Sequence, residues 1–386
     1  MASEFATIMP IYYFVFPQKA VYFVAADLKE AEDIFAMDGV TLYLSLVSVC
    51  GGLANLLVLV VLLRHLRSLR VPEIFILSIT LSDFLSCAVG IPLAIHASIA
   101  GTWPYCLEGC KAHAFFIYTF GLVSLVHLAI MAFEKYLTIF KHMSKWGNFL
   151  SKRGASLIVV GLWVYCLFFT VPPLFGWAAY GLENGNLTCS IKFDSRHPVD
   201  ISYYVVMYIG GFFIPLGLIL YSYYHINKVK HRVAVRKYAS NDVNRVAHIR
   251  RNVKYAVKLA LLIGGYLLSW APYSVITFLI VLQVELSDQA VYVPSLFAKT
   301  SFMYNPFLYL VFFRSFRKKL FVTLTTREYR ARRRRKMLLE YFPHLTNEST
   351  STSHTAGAVP LQIRVNVRPD SIPFIVPTGA PLETRL

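Results

Sequence analysis

Hydrophobic residues gather in seven long stretches that are separated by short polar segments. The stretches lie near residues 40–63, 74–99, 112–133, 156–177, 203–224, 256–282 and 291–313. Each is at least 21 residues long, which as a helix crosses the roughly 30 Å of a bilayer core. Backbone groups in lipid find no water to bond, so such stretches must be helical. The pattern predicts an all-α membrane protein, with a seven-transmembrane helix bundle over residues 40–313.

Polar and amphipathic segments flank the predicted bundle. Residues 1–39 are expected to form an extracellular N-terminal tail of irregular structure, because two prolines and the Gln18-Lys19 pair interrupt its apolar part. Residues 314–336 begin with RSFRKKLFVTLTTREY, which predicts a short amphipathic helix and then a basic juxtamembrane segment attracted to anionic membrane lipid. Residues 337–386 are rich in Pro, Ser and Thr, which predicts a disordered cytoplasmic tail.

Charge in the connecting segments predicts the orientation. Residues 1–38 carry two lysines and six acidic residues, whereas residues 228–258 carry ten Lys/Arg and one acid, and residues 314–336 carry eleven and one. Cytoplasmic loops have an excess of Lys and Arg. We therefore expect a multi-pass plasma-membrane protein with its N-terminus outside. The net charge of +17 comes from this one side and the tail, so nucleic acid is not an expected partner.

Lys299 lies in the middle of the seventh stretch, in VPSLFAKTSFMYNPFLY. A charged lysine at the centre of a membrane helix costs about 2.5–3.5 kcal/mol on insertion scales, so it is a functional candidate. Burial favours the neutral amine, which is a nucleophile toward an aldehyde. On chemistry alone, a lysine paired with an acid for structure, or one that lines an ion path, is an equal alternative.

The segment FAKTSxxYNPxxY around Lys299 resembles the retinal-attachment helix of opsins, and the resemblance runs over residues 40–320. It includes marks of rhodopsin-like G-protein-coupled receptors in six of the stretches: Asn55, Asp83, Trp163, Pro215, Tyr223, Trp270, Pro272, Tyr273, Asn305, Pro306 and Tyr309. LRVPEI and MYNP resemble the neuropsins, and WPY…GCKAHAF resembles the retinal-isomerising opsins. The chain thus resembles non-visual opsins near the neuropsins, peropsins and photoisomerases.

The resemblance implies that retinal, 11-cis or all-trans, binds as a Schiff base to Lys299. The implied pocket consists of Tyr118, Gly121, Met207, Phe212, Trp270, Tyr273 and Ser295. Gly121 is expected to leave room for the polyene. Cys110 and Cys189 lie at the outer end of the third stretch and in an outer loop, and we expect a disulfide between them.

A protonated Schiff base is a buried cation and needs a nearby anion. Visual opsins have a glutamate three residues after the cysteine of the third helix, where this chain has His113. Glu183, six residues before Cys189, matches the second counterion position of the family and is the expected counterion. His113 is expected to be a hydrogen-bond partner or a titrating group. Glu108 is the nearest rival acid.

The inner end of the third stretch reads Glu134-Lys135-Tyr136, where receptors of this class usually have arginine in the middle. Lysine is a point charge and lacks the planar fork of arginine. Asn252 replaces the usual acid of the sixth helix. Because both ends of the inactive-state clasp are altered, we expect weakened G-protein coupling or elevated basal activity. Four further residues are expected to take part in activation: Tyr223, Asn305, Pro306 and Tyr309.

The favoured function is a light-sensing receptor for a heterotrimeric G protein. The alternative is a retinal photoisomerase that signals weakly, favoured by Lys135 and His113. A transporter fits poorly, because the chain shows no internal repeat and no pair of broken helices. We assign no catalytic residue and no metal site, since the six cysteines lack metal-ligand spacing with histidines.

Three short motifs indicate modification or partners. Asn186-Leu187-Thr188 is a glycosylation sequon. Ser349–Thr355 contains six Ser/Thr in seven residues, a plausible substrate for a receptor kinase and a site for arrestin. The C-terminal Glu-Thr-Arg-Leu at 383–386 fits a PDZ ligand.

Overall fold

A computed structural model describes residues 19–141, 151–183, 186–235, 243–325, 329, 364–366 and 374–376. Helices dominate it: α1 is Lys19–Arg64, α2 is Val71–Ala100, α3 is Leu107–Lys141, α4 is Lys152–Thr170, α5 joins Pro198–Val206, Met207–Phe213 and Ile214–Val235, α6 is Val243–Val281, α7 joins Asp288–Lys299 and Ser301–Phe312, and α8 is Arg314–Leu324. Within the described residues, the first six helices are each long and apolar enough to cross a membrane.

The seventh helix, α7, consists of two 12-residue parts that end at Lys299 and begin at Ser301. Pro306 lies inside the second part. Because proline has no N–H, the carbonyl of Phe302, four residues earlier, lacks its helical partner. The Asn55 side chain of α1 donates to that carbonyl at 2.8 Å. The proline in α7 therefore leaves a backbone carbonyl that accepts a hydrogen bond from α1.

The third helix lies at the centre of the bundle and the fourth at its periphery. In the most apolar 18-residue window of α3, 83% of the window is buried inside the bundle, against 28% in α4. Apolar side chains of α1, α2, α3, α6 and α7 pack together in one core: Val61, Phe75, Ile79, Leu128, Leu259 and Tyr309.

The loop between α4 and α5, which lies at the end of the bundle called outer after the predicted orientation, forms a hairpin of β1, Tyr180–Leu182, and β2, Cys189–Ile191. The strands are antiparallel, with Tyr180 opposite Ile191. A disulfide joins Cys189 to Cys110 of α3, with their Cα atoms 5.4 Å apart. The predicted disulfide is confirmed, and it holds the hairpin against the outer end of α3.

The short helix α8 packs against the start of α2. Phe316 is buried, while Lys319 and Ser315 each approach the Glu73 carboxylate to 2.7 Å. Glu73 also accepts from the backbone N–H of Arg70 at 2.8 Å. These contacts fix an amphipathic helix after α7, as the sequence predicts.

The structure differs from the prediction at both ends of the chain. The first helix already begins at Lys19, within the predicted irregular tail, because the segment AADLKEAEDIFAM is dominated by good helix formers. The chain divides into units 1–323 and 324–386. In the second unit, β3 (Arg364–Asn366) and β4 (Phe374–Val376) pair antiparallel within the predicted disordered tail. Both strands contain β-branched residues, which favour extended structure.

Three further predicted segments lie outside the described residues. They are the basic run 332–336, the Ser/Thr cluster 349–355 and the C-terminal motif 383–386. The predictions made for them stay predictions.

Candidate functional site

Lys299 ends the first part of α7 with its side chain only 5% exposed. Ser295 lies four residues earlier and thus on the same helix face. The Lys299 Nζ donates to Ser295 Oγ at 3.1 Å and approaches the Ser295 carbonyl to 3.3 Å. A buried amine is therefore held by the polar groups of its own helix.

Glu183 is the buried acid of this site, and it directly follows β1. Its Oε2 accepts from Thr188 Oγ1 at 2.6 Å and from Ser295 Oγ at 2.8 Å. The hairpin supplies the first contact, because the Glu183 backbone N–H bonds the Thr188 carbonyl at 2.9 Å. Ser295 consequently bridges the Lys299 amine and the Glu183 carboxylate.

Two tyrosines extend this polar chain to α3 and α6. The hydroxyl oxygens of Tyr118 and Tyr273 lie 3.0 Å apart. Tyr273 also interacts with Glu183 and with Ser190 of β2. The hairpin, α3, α6 and α7 thus meet around one carboxylate.

A largely apolar cavity lies beside these tyrosines, lined by six of the seven predicted pocket residues: Tyr118, Gly121, Met207, Phe212, Trp270 and Tyr273. Ser295, the seventh, lies instead between Lys299 and Glu183. Residues missed at the sequence level also line the cavity: Leu122, Leu125, Phe193, Tyr208, Gly211, Tyr266, Leu267, Ser274 and Thr277. Most of those on helices lie three or four positions from a predicted residue, so helical spacing could have found them.

Gly121 admits the ring of Trp270. A Cβ at position 121 would lie 2.7 Å from a carbon of that ring, so any other residue type would force the ring to shift. The expected room for a polyene at Gly121 is thus filled by Trp270 in this structure. The Trp270 Nε1 donates to Ser301 Oγ at 2.9 Å. The aromatic walls of the cavity suit an elongated apolar ligand.

His113 of α3 is 1% exposed, and its ring centroid lies 5.1 Å from that of Trp103. It interacts electrostatically with Lys299. Neither ring nitrogen has a side-chain hydrogen-bond partner among the described residues. An imidazole carries no negative charge, so it cannot balance a cation on Lys299. Glu108 is also unsuited, because its side chain is 75% exposed and pairs with Lys111 at 3.0 Å.

At its inner end, α3 contacts α6 through the cation of Lys135 and the aromatic ring of Tyr255. The buried Lys135 Nζ lies 2.7 Å from Glu134 Oε2 and 4.7 Å from the ring centroid of Tyr255 in α6. Tyr255 packs on Phe313, with ring centroids 4.9 Å apart. Asn252 bonds its own helix at His248. A cation–π contact therefore joins α3 to α6 where the family has an ion pair.

The other predicted activation residues lie between helices. Tyr223 of α5 donates to the Ala256 carbonyl of α6 at 2.9 Å. Asn305 donates to Asp83 of α2 at 2.8 Å. Three further residues complete the set at the inner half: Tyr136, whose ring lies 5.5 Å from that of Tyr221, and the buried Pro306 and Tyr309.

The sequon in the outer loop has its two functional residues in different environments. Asn186 is exposed and has a left-handed backbone with φ of 56°, which asparagine tolerates better than most residues. Thr188 is buried and bonded to Glu183. Glycosylation at Asn186 stays a prediction.

Comparison with known proteins identifies the class. Residues 54–309 match the family described as "7 transmembrane receptor (rhodopsin family)", so the chain belongs to the rhodopsin family of seven-transmembrane receptors. This chain is 31% identical to Melanopsin-A of Danio rerio over 274 residues, which are 69% of this chain and 46% of Melanopsin-A. It is 27% identical to the visual pigment-like receptor peropsin of Mus musculus, over 72% of this chain and 82% of peropsin.

Among solved structures, squid rhodopsin matches with a TM-score of 0.67 and 22% identity, covering 84% of this chain and 93% of that one. The predicted seven-helix fold is confirmed. The resemblance to opsins is also confirmed, and the chain is an opsin-type, multi-pass membrane receptor near the non-visual groups.

Proposed function

We propose that this chain is a light-sensing receptor that binds retinal through a Schiff base on Lys299. Light-driven isomerisation shifts α6 and exposes an inner cleft to a heterotrimeric G protein at the plasma membrane, with the N-terminus outside. One observation carries the proposal: the buried Lys299 amine is connected through Ser295 to the buried Glu183 carboxylate.

The residues of the site have separable roles. Condensation of the Lys299 amine with an aldehyde releases water and leaves the nitrogen inside the bundle. Retinal supplies light absorption and isomerisation when it is bound there. Glu183 balances positive charge on the Lys299 nitrogen, while Ser295 and Thr188 orient the carboxylate by donating to it. Unpaired buried charge would be costly, so this arrangement favours a bound cation.

Trp270 is the side chain through which the cavity acts on the rest of the bundle. Its ring lies against Gly121 of α3, and its Nε1 is bonded to Ser301 of α7. A change in cavity shape therefore alters contacts of α6 with two neighbours at once. At the inner end, Lys135 on Tyr255 and Tyr223 on Ala256 hold α6 in place.

Reconstitution with 11-cis and all-trans retinal in separate samples tests the proposal. Lys299→Ala and Lys299→Arg should both abolish the visible pigment, because neither side chain forms the linkage. Lys111→Ala removes an outer lysine whose side chain is 30% exposed and should leave pigment formation unchanged. A retinal adduct that survives acid trapping in either Lys299 variant would disprove the attachment site.

The photoisomerase remains the second candidate, because Lys135 replaces the usual arginine and is engaged with both Glu134 and Tyr255. If the chain is a receptor weakened by lysine, Lys135→Arg should raise light-driven nucleotide exchange on a G protein. The result supports a photoisomerase instead of a receptor if neither wild type nor variant drives exchange on any G-protein class while all-trans retinal is still photoconverted.

A further inference from the structure

A groove of about 650 Å³ runs between the start of α2 and the start of α4, on the basic side of the bundle. Leu66, Ile74 and Leu77 line one wall. Leu157 and Val160 of α4 line the other. This groove lies away from Lys299 and is not used by the proposed light-sensing function.

The apolar wall of the groove faces the membrane. The side chain of Leu157 is 74% exposed and that of Val160 is 61% exposed. Both belong to a helix that is apolar enough to span a bilayer and is only 28% buried in its most apolar window. Within a bilayer, side chains exposed in this way are covered by lipid or by another membrane helix.

Positive charge surrounds the mouth of the groove. Lys152 and Arg153 are exposed and line it, and the Lys152 Nζ donates to the Arg67 carbonyl at 3.1 Å. The two cations form the first turn of the 19-residue helix α4, whose N-terminal dipole adds positive potential. The carboxylate next to Ile74, Glu73, is already paired with Lys319.

We propose that this groove binds one anionic phospholipid, with its phosphate at Lys152 and Arg153 and an acyl chain along Leu157 and Val160. A second copy of the chain fits less well, because a symmetric contact would bring the same two cations together. A zwitterionic lipid fills the apolar wall equally but offers no net negative charge to the mouth. The charge of the headgroup therefore decides the occupant.

Native mass spectrometry of the full chain in detergent tests the proposal, with added phosphatidylglycerol and phosphatidylcholine of identical acyl chains. We expect one phosphatidylglycerol to bind at least about tenfold more tightly than phosphatidylcholine. The double variant Lys152→Gln/Arg153→Gln should lose this preference. The matched variant Lys228→Gln/Lys230→Gln removes two exposed lysines near the end of α5 and should keep it.

A second variant tests the apolar wall with the cations intact. Val160 is exposed, so we expect Val160→Trp to fill the groove without disturbing the packed core and to lower phosphatidylglycerol binding about tenfold. Equal binding of the two lipids by wild type would overturn the proposal, as would equal loss of preference in both double variants. A dimer that disappears in Val160→Trp would assign the groove to a second copy instead.

Discussion

The outer and inner ends of the bundle are held together by different chemistry. At the outer end, a disulfide and a chain of hydrogen bonds connect the hairpin, α3, α6 and α7 around Glu183. At the inner end, α3 meets α6 through Lys135 on the Tyr255 ring. There, Lys258 of α6 also donates to the Phe312 carbonyl at the end of α7, at 2.8 Å.

The difference indicates which end is built to stay closed. Hydrogen bonds to a buried carboxylate fix both distance and direction, and leaving one unmade is costly. A cation–π contact contributes about 0.5–2 kcal/mol and tolerates a range of positions over the ring. We infer that the outer end holds the ligand site rigid, while the contact between α3 and α6 at the inner end breaks at smaller cost when α6 moves.

Breaking the covalent part of the outer end should have the largest effect. Cys189→Ser opens a loop of 79 residues, and we expect a loss of about 2–5 kcal/mol in the free energy of unfolding. Thermal unfolding in detergent measures it. Cys106→Ser, which alters an exposed free cysteine, should leave the transition unchanged. A similar loss in both variants would show that the disulfide does not stabilise this end.

Removing the charge at the centre of the outer network should come next. In Glu183→Gln, the protonated Schiff base proposed on Lys299 loses its counterion. It therefore gives up its proton at lower pH. The midpoint of the absorbance titration should fall by about two pH units, equivalent to about 2.7 kcal/mol. Ser295→Ala keeps the carboxylate and should shift the midpoint less.

Two control variants sharpen the assignment of the anion. Glu108→Gln alters an exposed acid paired with Lys111 and should leave the midpoint unchanged. If the titration midpoint is unchanged in Glu183→Gln and falls strongly in Glu108→Gln, Glu108 is the counterion instead of Glu183. A shift confined to His113→Ala would point to a water molecule or an anion held by the histidine.

At the inner end, the smallest of the three effects is expected. Tyr255→Leu removes the ring under Lys135, and dark nucleotide exchange on a G protein should rise about fivefold, as for a loss of roughly 1 kcal/mol. Tyr255→Phe keeps the ring and should stay near wild type. Equal exchange rates in the two variants would mean that the cation–π contact does not restrain α6.

Sequence reasoning located the parts of the site that depend on one helix at a time. Lys299 was identifiable because a lysine inside an apolar stretch is costly. The aromatic wall of Tyr118, Trp270 and Tyr273 followed from the opsin resemblance and lines one cavity. The pairing of Cys110 with Cys189 followed from their positions at the same predicted side.

Contacts that depend on the hairpin turn or on how two helices cross were beyond the sequence pattern. Thr188 contacts Glu183 because of the turn between β1 and β2, and hairpin register is not readable from a single loop sequence. The approach of Tyr255 to Lys135 depends on how α6 crosses α3, which no motif encodes. The start of α1 at Lys19 was missed because the length of apolar stretches, which located the spans, ignores helix propensity in a charged segment.

The interruption of α7 divides it into two helical segments joined at Thr300, instead of one continuous helix. At the joint, the backbone bonds have three-residue spacing: Thr300 N to Phe297 O is 3.1 Å and Met303 N to Thr300 O is 3.0 Å. Below it, the second part is anchored to α1 at Phe302 and to α2 at Asn305. Lys299 therefore lies directly beside the point where the helical spacing changes, so a displacement of its side chain acts first on the least regular part of α7.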